Sequence, residues 1–280
     1  FEDARIRGKY WQIIIDGTQL YRSREDLGEH SLFCRKKKGT EEEYTEYYYY
    51  VLEAKLVLHE KIQVSILTEF IENEKRDVEK QDCERNGAKR LMDRLKKEFP
   101  MLPICICGDS LYASEGFFKD CRKNHWRYIL RFKEGSIPSI NQEHDTLKKL
   151  EKNRKEEAEG VYDYVTGIDY RGESINMIEY EDTKEGKRFQ FVKNLGITGK
   201  NVKGTVERGR WRWKIENEGF NTQKKQGYYL ERRFSHDYQG RKNHYYLIQI
   251  GHMIAQIIEA WEKLWKKVKE SRQQKHRLLL

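Results

Sequence analysis

Two aspartates in this chain stand where hydrophobic strands should end. Asp16 follows Ile13, Ile14 and Ile15 and precedes Gly17, while Asp109 follows the run ICICG and precedes Ser110. Runs of β-branched residues read as strands, and Asp-Gly or Gly-Asp-Ser as the turns that close them. In an open α/β sheet, ligands bind outside the carboxyl ends of the strands. Carboxylates on adjacent strand ends can share a hard cation, because Mg2+ takes oxygen ligands and is usually held by one or two protein carboxylates. Taken singly, either aspartate reads as an ordinary turn or cap residue. Their matching placement is what points to a metal.

A third acidic candidate lies in GRWRWKIENEGFNTQKKQGYYLE, residues 209–231. Read as a helix, Arg212 and Glu216 are four positions apart and share a side, with Asn217 beside Glu216. Arg208, Arg210, Arg212, Lys214, Lys224 and Lys225 bracket Glu216 and Glu218. A carboxylate in such company is either a surface ion pair or a metal ligand beside phosphate-binding cations. Trp211 and Trp213, interleaved with arginines, suit stacking on unpaired bases.

The elements needed to position these residues follow from pattern. Trp11–Leu20 reads as a strand, residues 23–45 as a polar excursion, and 47–59 and 62–71 as an antiparallel hairpin joined through Glu60-Lys61. Ala88, Leu91, Met92 and Leu95 predict a helix over 82–99, with Pro100 beyond its end. A strand over 102–107 delivers Asp109. A helix over 114–124 follows, with Ser114 as N-cap, then a strand over 126–132 that ends at Lys133. Residues 144–157 read as a charged helix. Short alternating segments over 161–191 read as β-rich. Helical patterns return over 206–226 and over 245–268, the latter grading into the basic stretch 266–277.

Composition bounds the partner. The 280 residues carry a formal net charge of +9, which favours a polyanion such as nucleic acid. Five cysteines with no CxxC pair read as a reduced chain without a disulfide frame or zinc knuckle, and Cys105 and Cys107 as buried strand positions. No apolar stretch approaches the roughly 18 residues of a membrane span, so none is expected. The four tyrosines 47–50 fit a half-buried strand, and His252, in an apolar helix, reads as a satisfied core histidine. The chain lacks an initial methionine and meets a strand by Trp11, so it is expected to begin inside a longer protein.

Three blocks, IIIDGTQL, GDSLYASEGFFKDCRKNHWRYILRFK and RWKIENEGFNTQKKQG, resemble the signature blocks of insertion-sequence DDE transposases, nearest to the IS-four-like superfamily. The resemblance runs from about residue 10 to about residue 260. It implies an α/β, RNase H-like mixed sheet flanked by helices, with a β-rich insertion before the last catalytic helix. The core would then comprise residues 1–135 and 206–280, and the insertion residues 136–205. It further implies that Asp16, Asp109 and Glu216 hold two Mg2+ ions, with Mn2+ as substitute, and cut and join DNA. Arg212, Lys224 and Lys225 would neutralise phosphates.

The chain departs from the family pattern at two places. Gly209 stands where the family has tyrosine, and Gln223 where it has lysine. Anchoring on Phe220 and Lys225 instead makes Glu218 the third acid, with Trp211 and Lys214 in place of the tyrosine and arginine. Implied partners are transposon-end and target DNA and a second protomer on the paired ends. The implied location is the bacterial cytoplasm, at the nucleoid. A metal-dependent nuclease that does not join strands, and a domesticated DNA-binding protein without chemistry, are the competing expectations.

Overall fold

The computed structural model describes residues 4–59, 62–75 and 78–277; the Glu60-Lys61 connection lies outside the described residues. The first strands are β1 (Trp11–Ser23), β2 (Leu32–Lys36), β3 (Tyr44–His59) and β4 (Ile62–Ile71). They are followed by α1 (Glu84–Glu98), β5 (Ile104–Gly108), α2 (Glu115–Lys123) and β6 (Arg127–Phe132). Next come α3 (Pro138–Glu151), β7 (Arg154–Glu157), β8 (Gly160–Tyr170), β9 (Glu173–Asp182) and β10 (Arg188–Lys193). The chain then turns helical through α4 (Val202–Arg210), α5 (Arg212–Lys214), a π-helical turn (Ile215–Phe220), α6 (Asn221–Lys225) and α7 (Tyr238–Arg277).

All ten strands join one sheet, ordered β2-β3-β1-β5-β6-β10-β9-β8-β7, with β4 also paired to β3. β2 and β4 share one edge of β3 end to end, on Tyr44–Tyr48 and Tyr50–His59. The pairs β1/β5 and β5/β6 are parallel, and the others are antiparallel. This is an α/β architecture: a large mixed sheet flanked by helices. The β-rich segment makes no sheet of its own, because β10 pairs antiparallel with β6 and extends the same sheet.

Side-chain alternation divides the core in two. Ile13 and Ile15 pack on one face with Leu91, Met92 and Leu95 of α1 and Phe117 and Phe118 of α2. Ile14 points to the other, with Cys105, Cys107, Val202, Val206, Ile215, Phe220 and Tyr245. Cys105 and Cys107 are buried and unpaired.

Four local readings are corrected. The charged helix runs 138–151 rather than 144–157, because Pro138 sets its first turn and Lys152, with φ 49°, ends it. The residues beyond, Arg154–Glu157, pair with β8 as a strand; their helix-prone composition yields to the ladder. The polar excursion contains β2. Ser114 occupies the N-cap position of α2, but its side chain makes no capping hydrogen bond.

Two buried titratable side chains of β3, Glu53 and Lys55, lie beneath β4 and the π-helical turn. Glu53 is fully buried on β3 and accepts hydrogen bonds from the Ser65 and Thr68 hydroxyls of β4. Burial raises its pKa and lowers that of Lys55, each opposed by the other's charge. The Lys55 ammonium, 2% exposed, lies 5.5 Å from the ring centre of Phe220. Glu53→Ala should therefore strand a buried ammonium and cost about 3–5 kcal/mol in denaturant unfolding, while adding Lys55→Met should recover most of it. A cost for Glu53→Ala below about 1 kcal/mol, the range of exposed pairs, would contradict this account.

Candidate active site

Asp16 does not end its strand, as the sequence suggests; β1 runs seven residues further, to Ser23, along β3. What ends near Asp16 is the parallel ladder. Trp11 pairs with Ile104 and Ile14 with Cys107. Carried on by two residues, that register sets Asp16 level with Asp109, which directly follows Gly108. Adjacent strands lie about 4.8 Å apart, so two carboxylates face one small volume. Asp109 accepts the Leu111 amide at 2.7 Å, and Asp16 accepts the Gly17 amide at 3.1 Å.

The helical return from α4 closes the site. Gly209 is buried against the sheet, where a Cβ would lie 2.7 Å from the Phe191 ring. This close approach explains why no tyrosine stands at 209. Three residues on, the Arg212 guanidinium hydrogen-bonds Asp16 at 2.9 Å and reaches Glu216 at 3.6 Å. One cation thus bridges two of the three predicted acids. Glu218 is paired instead with Lys214 at 3.7 Å. The segment is not the regular helix the spacing implies: Ile215–Phe220 forms a π turn, a feature frequent at functional sites.

The remaining predicted cations sit differently. Lys224 pairs with Glu231 at 2.9 Å, and Lys225 is exposed. Gln223, where the family pattern has lysine, is fully buried and bonds Gln249 and His252 at 2.9 Å each. An ammonium there would be desolvated. His252 is a buried, hydrogen-bonded core residue whose pKa burial lowers to about 4. Trp211 is flanked by Arg208 at 4.2 Å and Lys214 at 5.4 Å, and Trp213 is 42% exposed. Lys133 is exposed beyond β6. In the basic stretch 266–277, the side chains beyond Lys266 lie outside the described residues.

Four residues beside the site carry no local sequence signal. Glu84, at the start of α1, accepts the Tyr50 hydroxyl at 2.6 Å and the Tyr112 hydroxyl. Its charge, like that of Asp109, acts on Asp16. Arg131 of β6 lies near enough to Arg212 for that charge, added to burial, to lower its pKa. Its guanidinium stacks on Phe189 at 4.6 Å.

The electrostatics are those of an under-compensated anionic site. Asp16 is pushed up to about 7, chiefly by burial; Arg212 pulls it down, and Asp109 and Glu84 push it up further. Hard oxygen donors with unrelieved negative charge suit a magnesium-type cation. Among the described residues no group of three or more His, Cys, Asp and Glu side chains closes around one point. The residues fit such an ion as a two-carboxylate site with Glu216 at its margin, leaving other positions to water or phosphate oxygen.

A scan against models of known protein families and a search of curated proteins each returned no match. Among the described residues no helix is long and apolar enough to cross a membrane.

The shift of Asp16 fixes a pH response. Between the ordinary value of 3.8 and about 7, the folded state holds a proton that the unfolded chain has lost. Stability of the metal-free protein should therefore fall as pH rises through that window. Urea unfolding between about pH 4 and pH 8 should show this fall in the native chain and a flatter profile in Asp16→Asn. Equal slopes would contradict the burial and charge assigned to Asp16.

Proposed function

We propose that this chain is the catalytic core of a DDE-type DNA transposase, cutting and joining DNA at Asp16 and Asp109 with divalent metal ions. The observation that carries the reading is that Asp16 and Asp109 lie just beyond the end of the parallel β1/β5 ladder, near enough for the Asp109 charge to act on Asp16, with Arg212 hydrogen-bonded to Asp16. An RNase H-like core is supported by the mixed sheet itself. Strands are antiparallel on one side of β1 and parallel on the other, with helices on both faces. On this reading residues 1–135 and 206–280 form the core, residues 136–205 are an insertion, and the protein works at DNA in the cytoplasm.

Asp16 and Asp109 would hold two Mg2+ or Mn2+ ions, joined by Glu216. When bound, such ions supply Lewis-acid activation of the attacking and leaving oxygens of a phosphodiester. The chain's own residues do the rest. The two aspartates fix where negative charge gathers. Arg212, now spanning Asp16 and Glu216, is placed to take a phosphate oxygen as it leaves those carboxylates. Lys224 and Lys225, about two turns beyond Glu216, would hold the DNA backbone, which positions the substrate without reading its sequence. The net charge of +9 suits that partner.

A second protomer, needed to pair two DNA ends, has a surface available. Leu247, Ile250, Ile254, Ile257 and Trp261 recur every three or four residues along α7, all between 49% and 65% exposed. Exposed apolar stripes of that period seek a second helix. Sedimentation should find a dimer for the native chain and a monomer for Ile254→Glu. A monomeric native chain would contradict this surface as the contact.

Activity separates the readings. With Mn2+ or Mg2+ and a DNA substrate, Asp16→Ala, Asp109→Ala and Glu216→Ala should each lower strand cleavage at least about 100-fold, more than groups behind the ligands usually cost. Glu218→Ala, which loses an exposed ion pair, should change it by no more than about threefold. The same protein should join the freed 3′ end to target DNA. Cutting without joining would assign a nuclease, and DNA binding without cutting a protein that has lost the chemistry.

A further inference from the structure

We propose that Glu84 is a positioning residue for the metal site, one carboxylate that clamps both aspartate-bearing strands through Tyr50 and Tyr112. The inference rests on the reading of Asp16 and Asp109 as metal ligands. Its geometric half stands without that reading.

The same arrangement occurs twice. Next to Asp16 is Gly17, and a Cβ there would lie 2.4 Å from the Tyr50 hydroxyl oxygen. Next to Asp109 is Gly108, and a Cβ there would lie 2.6 Å from Cδ2 of Tyr112. Each aspartate thus adjoins a glycine whose missing side chain is replaced by a tyrosine ring. Both tyrosine hydroxyls end on Glu84, Tyr50 on Oε2 at 2.6 Å and Tyr112 on Oε1. Tyr50 comes from β3, opposite Gln19 of β1. Tyr112 comes from the turn after β5, where its amide bonds the Asp109 carbonyl at 3.3 Å.

This geometry sets the spacing of the two carboxylates. The parallel ladder stops at Ile14 and Cys107, two residues short of the aspartates. Beyond it, among the described residues, no backbone pair joins β1 to the Asp109 turn. The ladder therefore does not itself fix the separation of the two carboxylates. Glu84 links the two strands from the opposite face of the sheet, against Tyr112, which is 2% exposed. Hydrogen bonds from hydroxyls to an ionised carboxylate are roughly twice as strong as neutral ones. With one oxygen committed to each tyrosine, Glu84 acts on the strands rather than on a cation.

The test uses the full chain and two readouts. Mn2+ affinity is measured by calorimetry. Amide hydrogen exchange without metal is followed by NMR at Gly17 and Leu111, whose N–H groups bond the Asp16 and Asp109 carboxylates. The buried Ile129 amide reports global opening. Tyr50→Phe should speed exchange mainly at Gly17, and Tyr112→Phe mainly at Leu111. Glu84→Ala should speed both relative to Ile129, as should the volume-preserving Glu84→Gln, more weakly. The double tyrosine variant and Glu84→Ala should each weaken Mn2+ binding about 10–100-fold, as groups that orient metal ligands do.

Unchanged exchange at both amides in Glu84→Ala and Glu84→Gln would overturn the clamp. Loss of Mn2+ binding in Glu84→Ala with full binding in the double tyrosine variant would also overturn it, by making Glu84 a direct ligand. If the native chain binds no Mn2+, or binds it equally after Asp16→Ala, the metal reading fails, and with it the role of the clamp in holding metal. The exchange rates then still decide whether the clamp exists.

Discussion

Two carboxylates stand just beyond the end of one parallel ladder, and the surrounding structure is arranged around them. The ladder from Trp11–Ile104 to Ile14–Cys107 delivers them, and it stops just before them. Parallel pairing with β5 ends at Ile14, while antiparallel pairing with β3 continues along the rest of β1. Asp16 is partly buried there, so its charge is poorly screened and its proton is held up to about 7. The Arg212 guanidinium and the Gly17 and Leu111 amides answer that charge; Glu84 adds to it, and its two tyrosine hydrogen bonds act on the strands instead.

Arg212 can respond only because α4 comes close to the sheet. Gly209 allows the approach, since any side chain would enter the Phe191 ring. Below the following turn, Lys55 and Glu53 form a buried pair under Phe220, and Gln223, Gln249 and His252 form a buried hydrogen-bonded group. The Gln223 hydrogen bonds are directional and hold the segment just after the π turn, in which Glu216 faces Arg212 and Glu218 faces Lys214. Positions 209 and 223 thus have local physical constraints: at 209 a Cβ would meet the Phe191 ring, and at 223 the side chain is fully buried in a hydrogen-bonded group.

Much of this was legible in the residues. ICICG and the α1 periodicity gave β5 and α1 to within two residues at their ends, because strong apolar patterns survive any context; the isoleucine run gave the start of β1, which continues seven residues past the turn expected at Asp16. The two aspartates were legible for the same reason. Glu84, Tyr50 and Tyr112 were not. They are separated by 28 and 34 residues and meet only when α1 crosses the strand ends. Tyr50 in particular looks like one more residue of a tyrosine-rich strand. The π turn was invisible because its hydrogen-bond shift depends on packing beneath it. Arg154–Glu157 misled because a short edge strand needs only a ladder partner, which composition does not reveal.

The level register of Asp16 and Asp109 is the central claim, and a crystal grown with Mn2+ tests it most directly. Diffraction near the manganese absorption edge should place an anomalous peak within coordination distance, about 2.0–2.3 Å, of both aspartate carboxylates, with Arg212 moved off Asp16. A peak bound elsewhere, or no peak at saturating Mn2+ with Arg212 still on Asp16, would contradict the account.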